Sequence, residues 1–327
     1  MTTLVTGATG FLGSAVAREL LKDGRKIKLL VRKDSDLSNT TGLQVEVVKG
    51  DIRDRSSLKS AMTGCSTLYH VAAYYSLWDR DKKLIYDINV EGTRNILETA
   101  LELGLERVVY TSTVGCIGLR NDGTPANEDQ PMDPATLSND YKSSKFQAEK
   151  IALEIQGRGL PVIIVNPSTP VGPRDIKPTP TGKIVLDFLN GKMPAYLDTG
   201  LNLIDVSDCA RGHILAEEKG KPGERYILGN KNMSLKEILL ALEKITGIPA
   251  PSIKMPYWIA YAAGMACEAV SNMITQKPPA VPLAGVKMAK YFMYFDSSKA
   301  IRELGLPQNP VENALSQSVQ WFQENRR

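Results

Sequence analysis

Histidine is nearly missing from this chain: His70 and His213 are the only two in 327 residues. A histidine-built metal centre is therefore not expected, and no other metal site is either. Cysteine is also scarce. Cys65, Cys116, Cys209 and Cys267 stand apart with no C-x-x-C, which argues against both zinc binding and a disulfide framework. No run of five basic residues occurs, and 40 basic against 36 acidic side chains leave a net charge of +4, so nucleic acid is not an expected partner. The longest apolar stretch, residues 255–267, falls short of the roughly 18 residues a membrane span needs. It reads as a buried or lid-forming helix, with a membrane-touching surface as the other reading. No basic leader precedes the first strand, so a signal peptide is not expected and a cytoplasmic location is.

What is present is a rhythm. Short β-branched runs at 3–6, 26–31, 45–49, 67–71, 107–112 and 161–165 alternate with helical patterns, including 12–23, a long one near 81–103 and one through 141–154. Strand, helix, strand with short connections implies parallel pairing and right-handed crossovers: an α/β, doubly wound (Rossmann) sheet. After Pro167 the rhythm breaks into prolines, glycines and shorter elements. Ser234 with Glu237 forms a capping-box signature for a helix over 234–246, and another helix closes the chain near 310–324. We place a dinucleotide-binding domain at 1–166 and a smaller, mostly helical substrate-side region at 167–327. Segments near 203–228, at 204–210 and 225–228, are expected to rejoin the first domain.

Gly7, Gly10 and Gly13 form G-x-x-G-x-x-G directly between a strand and a helix. That context suits a tight turn, a close approach of backbone to pyrophosphate, and free N–H groups at a helix N-terminus. Thr9, Phe11 and Leu12 complete the loop. At the end of the second strand, where an acidic residue would hold the ribose of NAD, stand Arg32 and Lys33. Two cations there favour NADP(H) over NAD(H), although Asp34 and Asp36 follow closely. Asp51 and Ile52 are expected at the adenine edge, and Ala72 and Ala73 beside the ribose, with His70 structural.

Tyr141 and Lys145 lie four apart, one helical turn, and share a face. A neighbouring ammonium favours the phenolate, so Lys145 is expected to lower the Tyr141 pKa from its usual 10 or so. Thr111, Ser112 and Thr113 end the fifth strand, the rim where open α/β sheets bind ligands, and one of these hydroxyls should hold a substrate carbonyl. Asn89 is a candidate for ordering water or the helix backbone near Lys145, with a structural role inside its own helix as the other reading. Substrate contacts are expected from Ser112, from Tyr74, Tyr75 and Trp78 after the fourth strand, from Arg174 and Lys177 after the sixth, and from Tyr196.

Together T-G-A-T-G-F-L-G at 6–13, G-D-I-R-D at 50–54, H-V-A-A at 70–73, N-V-E-G-T at 89–93, Y-T-S-T at 110–113, Y-K-S-S-K at 141–145 and N-P-S-T-P-V-G-P at 166–173 resemble the extended short-chain dehydrogenase/reductase superfamily. Within it the chain is similar to the dihydroflavonol-4-reductase-like branch. Residues 172–182 and 195–202 also resemble a bacterial group known as hopanoid-associated sugar epimerases. The resemblance implies Thr113, Tyr141 and Lys145 as the catalytic set, with Pro167 and Ser168 against the nicotinamide, and a homodimer as a common assembly. Val114 and Gly115 stand where dehydratases of the superfamily carry an acidic pair, so dehydration is not expected. Cys116 is one residue too far along to match the cysteine of deoxysugar epimerase–reductases. The expected function is NADPH-dependent reduction of a small-molecule carbonyl to an alcohol. A nucleotide-sugar epimerase with retained cofactor is the alternative, and a non-catalytic dinucleotide sensor the reading from another class.

Overall fold

The apolar runs of the N-terminal half alternate between two cores. Leu4, Leu30, Val108 and Tyr110 pack into one, while Val5, Leu29, Val31 and Val109 pack into the other. Successive residues on a strand face opposite ways, so a sheet covered by helices on both sides must be apolar at every position. The computed structural model describes residues 2–325 apart from 77, 79–81, 121 and 138. Among these, the strands are β1 (Thr2–Thr6), β2 (Lys26–Val31), β3 (Glu46–Lys49), β4 (Cys65–His70), β5 (Arg107–Thr111), β6 (Val162–Pro167), β7 (Thr169–Val171), β8 (Gly200–Asp205), β9 (Arg225–Leu228), β10 (Lys231–Ser234) and β11 (Phe292–Met293).

A seven-stranded parallel sheet runs β3-β2-β1-β4-β5-β6-β9. The order reverses direction after β1, and the crevice at that switch lies over the carboxyl ends of β1 and β4, where such sheets bind ligands. A smaller sheet pairs β8 with β7 and β11 in parallel and with β10 antiparallel. Thus 225–228 joins the large sheet, whereas 204–205 belongs to the small one. The Val206–Lys219 helix that follows returns to pack on the Phe11–Lys22 helix.

The long helix expected near 81–103 is interrupted. Lys82–Tyr86 and Gly92–Glu102 are α-helical, and a π-helical turn, Asp87–Glu91, lies between them. Residue 81 lies outside the described residues. The capping box forms as its sequence demands: Ser234 Oγ accepts from the Glu237 amide at 3.2 Å, and the Glu237 carboxylate accepts from the Ser234 amide at 2.7 Å. Among the described residues, no helix is long and apolar enough to cross a membrane, and no group of His, Cys, Asp and Glu side chains could hold a metal ion.

Candidate active site

The glycine loop is shaped by what its glycines exclude. Gly7 has φ 76°, and a Cβ there would lie 2.6 Å from the Ala72 amide nitrogen. A Cβ on Gly13 would lie 2.2 Å from the Gly7 carbonyl oxygen, so helix and strand touch backbone to backbone. Gly10 caps the Phe11–Lys22 helix without a side-chain acceptor, which leaves N-terminal amides free for an anion.

Beneath the loop runs a chain of buried hydrogen bonds whose directions can be worked out. The Thr93 hydroxyl donates to the Asn89 carbonyl at 2.7 Å, so it must accept from His70 Nε2, 3.1 Å away. His70 Nδ1 then accepts from the Thr6 hydroxyl at 2.9 Å, and Thr6 accepts from the Ala72 amide at 3.2 Å. The π-helical turn aims the Asn89 side chain at the far end of this chain. Its amide nitrogen donates to Tyr74 O at 2.9 Å and Ser144 Oγ at 3.0 Å, and its oxygen accepts from the Tyr74 amide at 2.7 Å. The glycine loop, the segment after β4 and the helix bearing Lys145 are thereby locked together.

The Asp140–Gly157 helix starts at Asn139, whose side chain accepts from the Lys142 amide at 2.8 Å. It carries Tyr141 and Lys145 into the end of β5. Lys145 is only 2% exposed; its ammonium donates to Tyr110 Oη at 2.9 Å and Thr111 O at 2.7 Å. Burial lowers its pKa to about 8. Tyr141 differs from expectation: burial holds its phenol well above the ordinary value, opposed only by a hydrogen bond with the Thr113 side chain. The reason is geometric. Lys145 spends its protons on Tyr110 and Thr111, while the Tyr75 ring covers Tyr141 edge-on at 4.4 Å between centroids.

The three hydroxyls after β5 are not equivalent. Thr111 pairs with His213 Nε2 at 3.1 Å, and Ser112 donates to the buried Glu149 carboxylate. Only Thr113 turns towards Tyr141, its Oγ1 also accepting from the Gly115 amide at 3.1 Å. Ser112 therefore lines the cavity with its hydroxyl committed elsewhere, a correction to its expected substrate role. Glu149 also accepts from Asn166 Nδ2 at 2.9 Å, and Asn166 holds Thr113 O at 3.0 Å. The sequence reading missed this brace. Its one signal was an acidic residue a further turn beyond Lys145. Cys116 is fully buried and its thiol is pushed up to about 12, so it is an inert packing residue.

A cavity of about 1070 Å³ collects most of the expected site. Thr9, Phe11, Leu12 and the three glycines line it, with Arg32, Asp51, Ile52, Ala72, Ala73, Thr113, Tyr141, Lys145, Pro167 and Ser168. Tyr74, Tyr75 and Lys177 line it too. Four candidates fall outside its wall. Lys33 sits on the exposed turn past β2. Trp78 donates its indole N–H to Asn272 Oδ1 at 3.2 Å. Arg174, at φ 72°, is exposed, with its charge near Arg18 rather than in the cleft. Tyr196 is buried in a third core, with Phe188 and Leu203, where a flat apolar ring has most to gain. In their place the far chain supplies Ile184, Leu201, Met288 and Met293.

The cavity fits a dinucleotide on its own evidence. Two glycine positions admit no Cβ, a helix N-terminus opens into it, and two buried lining atoms, Ser168 Oγ and Asn39 Oδ1, lack a hydrogen-bond partner among the described residues. The model of the NAD dependent epimerase/dehydratase family matches residues 3–229. The chain belongs to that family. A Synechocystis protein provisionally named dihydroflavonol 4-reductase is 48% identical over 98% of this chain and 94% of its own. Among solved structures, that of gox2253 has a TM-score of 0.89 at 45% identity, covering 100% of this chain and 99% of the other. PA4631, a nucleoside-diphosphate-sugar epimerase from Pseudomonas aeruginosa, has a TM-score of 0.82 at 25% identity, covering 100% and 98%. As a member of the epimerase/dehydratase family, in the dihydroflavonol-reductase-like branch of the extended short-chain dehydrogenase/reductases, the chain is an NAD(P)-dependent oxidoreductase.

The buried histidines give this family member an acid sensitivity. Burial lowers His70 to about 3 and His213 to about 4, against 6.5 when unfolded. Protons then bind the unfolded chain first, so this contribution is intact above pH 6.5 and is lost as pH falls towards 4, at about 1.4 kcal/mol per unit per group. Asp175, raised to about 6 by burial, acts in the opposite sense below that pH. Thermal melts from pH 7 to 4.5 should therefore show a shallower loss of Tm in His213→Gln than in the parent. Parallel slopes would mean that His213 titrates normally in the folded state.

Proposed function

We propose that this enzyme reduces the carbonyl of a largely apolar small molecule to an alcohol, using NADPH. The observation that carries the reading is the wall beyond Tyr141. Tyr74, Tyr75, Ile184, Leu201, Met288 and Met293 make that end of the cavity predominantly apolar. Bound NADPH would supply the hydride to the carbonyl carbon. The chain itself supplies the rest. Tyr141 keeps its proton at neutral pH, the form needed to donate to the carbonyl oxygen as the alcohol forms. The Thr113 hydroxyl, beside Tyr141, orients that oxygen. Lys145 anchors the helix to the end of β5 through Tyr110 and Thr111 and places a positive charge beneath the site.

The preference for NADPH rests on Arg32, which lines the cavity at the end of β2 and, among the described residues, forms no ion pair. Asp36 is occupied by the amide and hydroxyl of Ser38, and Asp51 by a two-pronged pair with Arg53 at 2.7 and 3.0 Å. Arg32→Ala should raise the Kd for NADPH about tenfold, the order of one lost charge-assisted contact, and leave that for NADH within about twofold. Equal effects on both cofactors would remove the argument. Lys142 also lines the cavity beside Tyr141 and favours the second reading, a nucleotide-sugar epimerase whose diphosphate it would meet, whereas Lys177 lies near Asp36 past the end of β2. One assay separates the two. Protein that purifies empty and oxidises NADPH with aromatic or aliphatic ketones or aldehydes is the reductase. Protein carrying tightly held NAD(H), with no net turnover of carbonyls, is the epimerase. A cytoplasmic homodimer, packed through the Gly92–Glu102 and Asp140–Gly157 helices, completes the proposal, and light scattering tests the dimer.

A further inference from the structure

The Tyr257–Val270 helix and the π-helical turn Ser271–Thr275 that extends it wear their polarity inside out. A surface helix normally turns charged or polar residues to water. Here one exposed stripe, at helical spacing, reads Trp258, Ala262, Met265, Ala269 and Met273, and the stripe beside it reads Ile259, Ala263, Ala266, Val270 and Ile274. Trp258 is 70% exposed, Met273 80% and Ile274 74%. The helix's one charged residue, Glu268, lies on the packed side with Tyr261, Gly264 and Ser271. From Trp258 to Met273 the bare face runs about 22 Å at 1.5 Å per residue.

The rim of this face is cationic. Between residues 251 and 295 there are four lysines, Lys254, Lys277, Lys287 and Lys290, and a single carboxylate, Glu268. All four lysines are exposed; Lys254 is paired with Asp198 at 2.7 Å and the other three make no ion pair among the described residues. Apolar side chains flanked by cations match a layer of anionic headgroups over hydrocarbon. Trp258 has the amphipathic ring that favours that boundary. The helix that bears this face is one element removed from the cavity. The Leu283–Met288 helix packs against the Tyr257–Val270 helix, and its last residue, Met288, lines the cavity wall.

We propose that this face docks the protein on the surface of an anionic lipid bilayer, without spanning it. The proposal stands on the surface alone and not on the reductase reading, because vesicle binding can be measured without turnover. The full-length protein is mixed with phosphatidylcholine vesicles, with or without about one third phosphatidylglycerol, and sedimented. Binding is expected to the anionic vesicles, to fall on adding salt, and to be at least tenfold weaker to phosphatidylcholine alone. The Trp258→Glu/Met273→Glu double variant should lose at least tenfold in affinity while its circular dichroism and Tm match the parent, since both side chains are already in water. Lys277→Glu/Lys287→Glu should weaken binding to anionic vesicles only. Absence of vesicle binding, or equal binding by the Trp258→Glu/Met273→Glu variant, overturns the proposal. So does a dimer in light scattering that the same variant dissociates, which would assign the face to a second copy of the chain.

Discussion

Tyr141→Phe is expected to lower kcat for carbonyl reduction by about 10²–10⁴-fold, the usual contribution of a positioned proton donor. NADPH affinity should change by less than about threefold. The separation follows from where the phenol points. Its ring is held under Tyr75 and on a helix fixed by Asn139 and by Lys145, and none of these contacts needs the hydroxyl. Removing one oxygen therefore deletes the proton and little else. Because burial holds the phenol well above its ordinary pKa, the parent's reductive rate should also show no loss from Tyr141 deprotonation up to about pH 9. Steady-state kinetics with a cofactor titration read both quantities. A Tyr141→Phe enzyme with parental kcat would move the proton donor elsewhere.

Gly13→Ala should be a severely damaging single-methyl change in the chain's first strand–helix unit. The added Cβ would sit 2.2 Å from Gly7 O and 2.5 Å from Gly7 C, both backbone atoms. Gly7 cannot retreat, because its own Cβ position is closed by Ala72. The Phe11–Lys22 helix must therefore move off β1, at a cost of about 1–3 kcal/mol in stability. The amides at its N-terminus move with it, and NADPH should bind at least tenfold more weakly, since about 1.4 kcal/mol of lost phosphate contact is a factor of ten. Gly10→Ala is the control for stability alone: its Cβ would meet Gly7 O at 3.3 Å, a contact relieved by a shift of a few tenths of an ångström, and φ is an ordinary −89°. Melting curves should rank parent, Gly10→Ala and Gly13→Ala in that order, and fluorescence titration should separate Gly13→Ala from the parent. A Gly13→Ala protein with parental affinity would show that the loop does not cradle the pyrophosphate.

Both predictions come from local patterns that the sequence displays openly. A glycine triplet between strand and helix, and a tyrosine and lysine one turn apart, are short-range features whose geometry follows from element type alone. Contacts between distant segments were not legible in the same way. Ser112 and Thr113 are equivalent by composition, and the position of Glu149 decides that Ser112 is committed to a carboxylate while Thr113 faces Tyr141. Lys145 was expected beside the Tyr141 hydroxyl; the packing of Tyr110 behind the helix draws its ammonium away. Tyr196 and Trp78 are aromatic and close in sequence to pocket segments, yet one is consumed by the core around Phe188 and Leu203 and the other by Asn272.

The amino-acid sequence by itself determined the parallel α/β architecture, the glycine loop between strand and helix, and the placing of Tyr141 and Lys145 one helical turn apart, because periodicity, glycine placement and helical spacing act over a few residues. Tertiary structure alone decided which hydroxyl turns towards Tyr141, that Arg32 rather than Lys33 lines the cavity, and that Ile184, Leu201, Met288 and Met293 join its wall. It also decided that an apolar helix near the C-terminal third turns its bare side to water. Each of these depends on which side chain finds a buried partner first, and that competition is settled between segments far apart in the chain.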